Sequence, residues 1–188
     1  MHPRIQEVLG YLETTRSELG NAVNAVSPER RSERPAPECW SVAEVLDHLN
    51  IIENRIVQLL NGQIAAAKAG DVGSETETSS VIDSIDRARI RDRSQRVTAP
   101  EMVRPQSRRD ATSAWEALQQ SRDALRAAVL AGDGLALGEI KYQHPVLGLI
   151  NLYQWIIFVG SHEARHTDQI REIASDLAGH SSAAAEAK

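Results

Sequence analysis

The chain has 188 residues, a length that suits one domain with a core of its own and argues against two. Lys and Arg number 21 against 26 Asp and Glu, a formal charge of −5, with 41% hydrophobic and 25% charged residues; this balance disfavours a nucleic-acid binder that works by phosphate neutralisation. The lone cysteine, Cys39, excludes an intrachain disulfide and a Cys-rich zinc site, so any metal falls to His, Asp or Glu.

Met1 to Glu7 is polar at once and lacks the apolar run of a secretory signal, so a cytoplasmic location is expected. The most apolar stretch, Val146 to Gly160, is interrupted by Asn151 and Gln154. It falls short of the ~20 apolar residues that span a bilayer and reads as a buried helix.

Four segments carry apolar residues at helical spacing, and none shows the sustained alternation of a sheet, which predicts an all-α fold. Ile5, Val8, Leu9, Leu12, Leu19, Val23 and Val26 define a first helix over residues 3–26, ended by Ser27-Pro28. Pro28, Pro35 and Pro37 then keep the next stretch a loop. The second helix has the clearest start, a capping box at Ser41-Val42-Ala43-Glu44 flanked by Trp40 and Val45 as a hydrophobic staple. It presents Val42, Val45, Leu49, Ile52, Ile56, Leu59 and Leu60 on one face and is expected to run to about Ala67.

A long polar connection, Gly70 to Arg109, follows, with a short helix expected near Val81 to Ile90. The third helix opens at Asp110 as N-cap, turns Trp115, Leu118, Leu125 and Val129 inward, and ends at Gly132-Asp133-Gly134. The fourth is expected to open at His144-Pro145 and to carry Leu149, Leu152, Trp155, Ile156, Val159, Ile170 and Ile173 to about Leu177. Helices of roughly 40 Å suit a four-helix bundle over residues 1–178, and the Ala/Ser-rich tail, 179–188, is expected to be disordered.

The chemistry gathers on the fourth helix. His162 and His166 stand one turn apart on the face that continues the apolar stripe, close enough to share a metal ion. His48, between Val45 and Ile52, faces inward on the second helix. Buried imidazoles need partners, and three converging without a ligand would be costly; singly, each has the alternative of a core histidine bonded to a carbonyl. Co-ligation requires the second and fourth helices to run antiparallel. The short 132–143 link makes the third and fourth antiparallel as well, so the second and third must be parallel and the long connection must cross the bundle from end to end. An up-down-down-up arrangement follows.

Trp40-Ser41-Val42-Ala43-Glu44-Val45-Leu46-Asp47-His48-Leu49, with His144-Pro145-Val146-Leu147-Gly148 and His162-x-x-x-His166-x-x-Gln169-Ile170, resembles the DinB-like (YfiT-like) superfamily of metal-binding four-helix bundles, especially its second DinB subfamily. The resemblance covers most of the chain and is weakest in the crossover. It implies a divalent ion, Zn2+ or Ni2+, on His48, His162 and His166, with an open position for water or substrate. Its members include low-molecular-weight thiol S-transferases, a mycothiol-dependent isomerase and proteins described as metal-dependent hydrolases.

His162-Glu163-x-x-His166 also matches the zincin protease signature, but Gln169 and Glu172 stand where a metzincin has Gly and His, and no sheet accompanies it. Glu163, beside the first ligand, is a candidate to orient or deprotonate a water, with a solvated surface glutamate as the alternative. His144 is read as a helix N-cap, with substrate contact as its alternative. The arginines Arg87, Arg89, Arg91, Arg93 and Arg96 are read as a solvated face, and His2 and His180 are given no role. Hydrolysis and thiol transfer both stay open, and a non-catalytic metal-binding or interaction module is the competing class. The expected partners are a small-molecule substrate, low-molecular-weight thiols among them, and a second copy of the chain as a homodimer, with neither nucleic acid nor a membrane.

Overall fold

The computed structural model describes residues 1–70, 72–94, 98–105 and 109–186. Helix α1, Pro3–Asn24, starts with proline in its first turn and with His2 as its cap, whose Nδ1 accepts the Arg4 amide. His2 thus has a local structural role that its position near the terminus hid. Helix α2, Val42–Ala69, opens on the expected capping box: Ser41 Oγ accepts the Glu44 amide at 3.2 Å, and Glu44 returns the bond to the Ser41 amide at 2.8 Å. Among the described residues of the crossover only Arg87–Arg91 is α-helical (α3), capped by Asp86; the helix expected from Val81 is confined to its last turn. Helix α4, Ala111–Ala131, has Asp110 as N-cap and Gly132 as C-cap, as its sequence signals predict.

The expected start of the fourth long helix at His144 is replaced by a two-stranded antiparallel hairpin, β1 (Lys141–His144) and β2 (Gly148–Asn151). Gly148, with φ of 77°, takes a left-handed conformation that favours glycine and lets the chain fold back after Pro145. Helix α5 begins only at Leu152 and runs to Glu186, past the expected end near Leu177; residues 187–188 of the expected tail lie outside the described residues. Its cap is reciprocal: Asn151 Oδ1 accepts the Gln154 amide at 3.0 Å and Gln154 Oε1 accepts the Asn151 amide at 2.9 Å, a capping box in amide form.

The four long helices pack up-down-down-up. Tyr11 meets Ser161, Thr15 meets Glu163 and Arg30 meets Leu177, so α1 and α5 are parallel. Asn50 bonds the Ala117 carbonyl and Glu53 bonds Ser121, so α2 and α4 are parallel too. Val45 and Leu49 share a core with Ile170 and Ile173, whereas Leu60 and Ile64 share one with Leu152 and Ile156, which sets α2 antiparallel to α5. The crossover spans the bundle: Glu75 bonds Gly134 at one end, Arg91 and Arg93 pair with Asp168 and Glu172 along α5, and Val103 reaches His48 on α2. These two arginines are therefore bound to α5 and do not form a free solvated face, and Arg96 lies outside the described residues.

Two apolar cores result, one around Leu9, Leu60, Leu125 and Ile156, the other around Leu19, Val45, Leu118 and Ile170. Between them lies a buried polar layer. Among the described residues no helix is long and apolar enough to cross a membrane.

Candidate metal centre

His48 lies in the second turn of α2, where the Ser41 cap fixes the start of the helix and so the face that His48 presents to α5. It is 4% exposed, and its Nδ1 lies 2.6 Å from the Val103 carbonyl oxygen. A carbonyl only accepts, so Nδ1 carries the proton and Nε2 keeps its lone pair. On α5, His166 Nδ1 donates to Gln169 Oε1 at 2.7 Å, one turn further along the helix, which frees its Nε2 in the same way. His162 Nε2 stands 3.2 Å from His166 Nε2. One ligand nitrogen from each of the three histidines can be chosen so that all lie within 4.8 Å of one another.

Burial lowers the pKa of His48, opposed by the Val103 carbonyl and Asp47. His162 and His166 lie well below the ordinary imidazole value, first through burial and then through neighbouring imidazoles and arginines. All three rings are thus neutral near pH 7, the form that donates a lone pair to a metal. The donor set fits a divalent ion. Tetrahedral coordination at ~2.0–2.1 Å holds two nitrogens about 3.3–3.4 Å apart, close to the His162–His166 spacing, and the carbonyl and amide contacts on the far nitrogens are the supports that metal-binding histidines use. Trp40 covers the group, its ring 5.0 Å from that of His48 and stacked 6.4 Å from that of His166.

A family model described as the DinB superfamily matches residues 11–170. The chain belongs to the DinB superfamily. It is 29% identical over 165 residues to the uncharacterized protein YuaE of Bacillus subtilis (strain 168), across 84% of this chain and 91% of that one. Its fold is similar to that of TT2238, described as a four-helix bundle protein, with a TM-score of 0.58 and 16% identity over 89% of this chain and 98% of that one.

In this DinB superfamily member the three histidines picked from sequence come together, and Glu163 does not join them. Its side chain is 2% exposed and turned toward α1 and α4. Oε1 accepts from Arg16 Nε at 2.7 Å, and Oε2 from Thr15 Oγ1 at 2.8 Å and Arg122 at 3.0 Å. Glu53 closes a ring, bonded to Arg122 Nε at 2.5 Å, Arg16 at 3.0 Å and Ser121 Oγ at 2.8 Å. Burial works to lower the pKa of Arg122, but Glu163 and Glu53 raise it above its ordinary value. Neither alternative in the sequence holds: Glu163 is neither a base aimed at the histidines nor a solvated residue.

His144 is not a helix cap. Its Nδ1 accepts the amides of Val146 and Leu147 in the hairpin turn, and its ring packs on Trp155 and Phe158. Sequence reasoning missed Val103, the support of His48, and named Gln169 within the motif without its role as the support of His166. Gln169 stands three residues after His166 on the same face, a spacing that marks a partner, whereas nothing local links Val103 to His48.

Proposed function

We propose that this protein is a divalent-metal enzyme, carrying zinc or nickel on His48, His162 and His166, that transfers a low-molecular-weight thiol to an electrophilic small molecule. The observation that carries the reading is the convergence of the His162 and His166 Nε2 atoms at 3.2 Å, with His48 and His166 preset as Nε2 ligands by Val103 and Gln169. A bound ion with an open position would supply the acidity that turns a thiol into a thiolate near pH 7.

The engagement of Glu163 favours thiol transfer over hydrolysis. Water activation profits from a nearby carboxylate base, worth about 10²- to 10⁴-fold, and both oxygens of Glu163 are held by Arg16, Arg122 and Thr15. Among the described residues the potential ligand group contains only the three histidines. The chain's own residues then have two tasks: to hold the imidazoles neutral and correctly turned, and to seal the site with Trp40.

Elemental analysis should find close to one divalent ion per chain, and His48→Ala, His162→Ala or His166→Ala should each remove most of it. Full retention in His48→Ala would sink the tripod. Glutathione-type thiols with chlorodinitrobenzene, in which sulfur displaces chloride, should then turn over in a way abolished by chelation and restored by Zn2+ or Ni2+. Ester or amide cleavage in place of thiol transfer would make the protein a hydrolase, and metal binding with neither activity would make it a binding module.

A further inference from the structure

One buried polar group outside the three histidines is half satisfied. His144 is 6% exposed, and its Nδ1 accepts two backbone amides, from Val146 and Leu147, both at 3.1 Å. Amides only donate, so Nδ1 holds a lone pair and the neutral ring carries its proton on Nε2. Burial lowers the pKa of this imidazole and keeps it in the neutral form. Among the described residues nothing accepts a hydrogen bond from that Nε2–H. A buried donor without an acceptor costs about 1–3 kcal/mol, and such groups in folded proteins commonly mark a missing partner.

The ring's aromatic neighbours connect it to the three histidines. Nε2 lies across the imidazole from the turn amides, and the ring packs against α5, 4.5 Å from Phe158 and 4.7 Å from Trp155 between centroids. Phe158 in turn stacks on His162 at 5.3 Å, so His144 is two ring contacts from a proposed metal ligand. Phe158 and His162 are only partly buried, so this aromatic column keeps some exposed surface.

We infer that His144 is a second anchor of the site, its Nε2–H donating to an oxygen on a small molecule held at the three histidines. The assignment rests on the thiol reading of that site. The ligand class it implies is a thiol with a carboxylate or carbonyl oxygen a few atoms from sulfur, its apolar middle lying against Phe158. The hairpin then has a purpose beyond linking α4 to α5: its turn amides fix the tautomer and direction of the donor.

The test uses the zinc-loaded full chain, with 3-mercaptopropionate and 1-propanethiol as probes and calorimetry as the readout. The wild type should bind the acid thiol at least about 10-fold more tightly, the worth of one hydrogen bond of about 1.4 kcal/mol. His144→Asn places an amide oxygen where Nδ1 accepts the turn amides and removes the distal donor. It should erase the preference while leaving zinc content and propanethiol affinity unchanged. His144→Gln, which returns an N–H near the Nε2 position, should recover part of it. Propanethiol binding with no preference for the acid in the wild type overturns the His144 assignment and spares the thiol reading. Failure of both thiols to bind overturns the reading and the assignment with it. Ring ¹⁵N shifts give an independent check: a proton on Nδ1 of His144 in the free protein also overturns the assignment.

Discussion

Glu163 and His162 are adjacent in the chain, yet they serve different sides of the bundle. His162 turns to α2 and the other histidines, while Glu163 completes a ring of two arginines and two glutamates that joins all four long helices. Arg16 and Arg122 each also bond a backbone carbonyl, of Leu118 and Leu12, so little of the network is left unsatisfied. Such a ring contributes modestly to net stability compared with apolar packing, but breaking it leaves uncompensated charge in a dry interior. Glu163→Gln keeps the shape and removes one charge. It should destabilise the metal-free protein by about 3–5 kcal/mol in urea unfolding, while the folded variant should take up added Zn2+ as the wild type does. An unchanged unfolding midpoint would contradict the ring's role, and loss of metal from a folded variant would return Glu163 to the site.

At the scale of elements, the close approach of α1 to α5 at Tyr11 depends on a glycine. A Cβ at Gly160 would stand 2.5 Å from Cε1 and 2.9 Å from Cδ1 of Tyr11, whose hydroxyl is itself fixed 3.0 Å from Ser161 Oγ. Gly160→Ala should therefore cost about 1–3 kcal/mol as overpacking, despite the higher helix propensity of alanine; a higher melting temperature would show that the two helices can part without penalty. The long helices were legible because caps and apolar spacing are local signals: Ser41 and Asp110 mark their starts as read. The hairpin was not, since Val146, Leu149 and Leu152 mimic a helical stripe although Val146 is 76% and Leu149 63% exposed. The crossover was illegible for another reason. Arg91 and Arg93 find their carboxylates 77 and 79 residues further along the chain, on a helix whose neighbour only the folded topology decides. The histidines escaped this limit because inward orientation follows from spacing alone, whereas the ring partners of Glu163 sit on three other helices.

For the whole molecule, the consequence of this arrangement is a polar layer between two apolar cores, with histidines on one side of it and the ion ring on the other. The histidines tie stability to pH. Their folded pKa values lie below the ordinary imidazole value through burial and neighbouring charge, as does that of His144 through burial. The unfolded chain, with imidazoles near about 6.5, then binds more protons than the folded one whenever pH falls under that value. Stability of the metal-free protein should accordingly be flat above about pH 7 and fall as pH drops below about 6.5. A second loss should come below about pH 4.5, where paired carboxylates such as Asp168 and Glu172, held below their ordinary values chiefly by hydrogen bonds from Arg91 and Arg93, take up protons. Urea midpoints measured from about pH 8 to about pH 2 separate the two stages. Replacing His48, His162 and His166 together by Gln should shrink the upper stage to the part that His144 contributes and leave the lower one, because only the first depends on imidazoles that resist charge in the interior. A metal ion should steepen the upper stage in the wild type, since the same protons that destabilise the fold compete for the ligand nitrogens. A wild-type curve with no slope between pH 6.5 and pH 5 would mean that the histidines are solvated enough to charge in place, and the dry, neutral tripod on which the metal reading depends would fail with it.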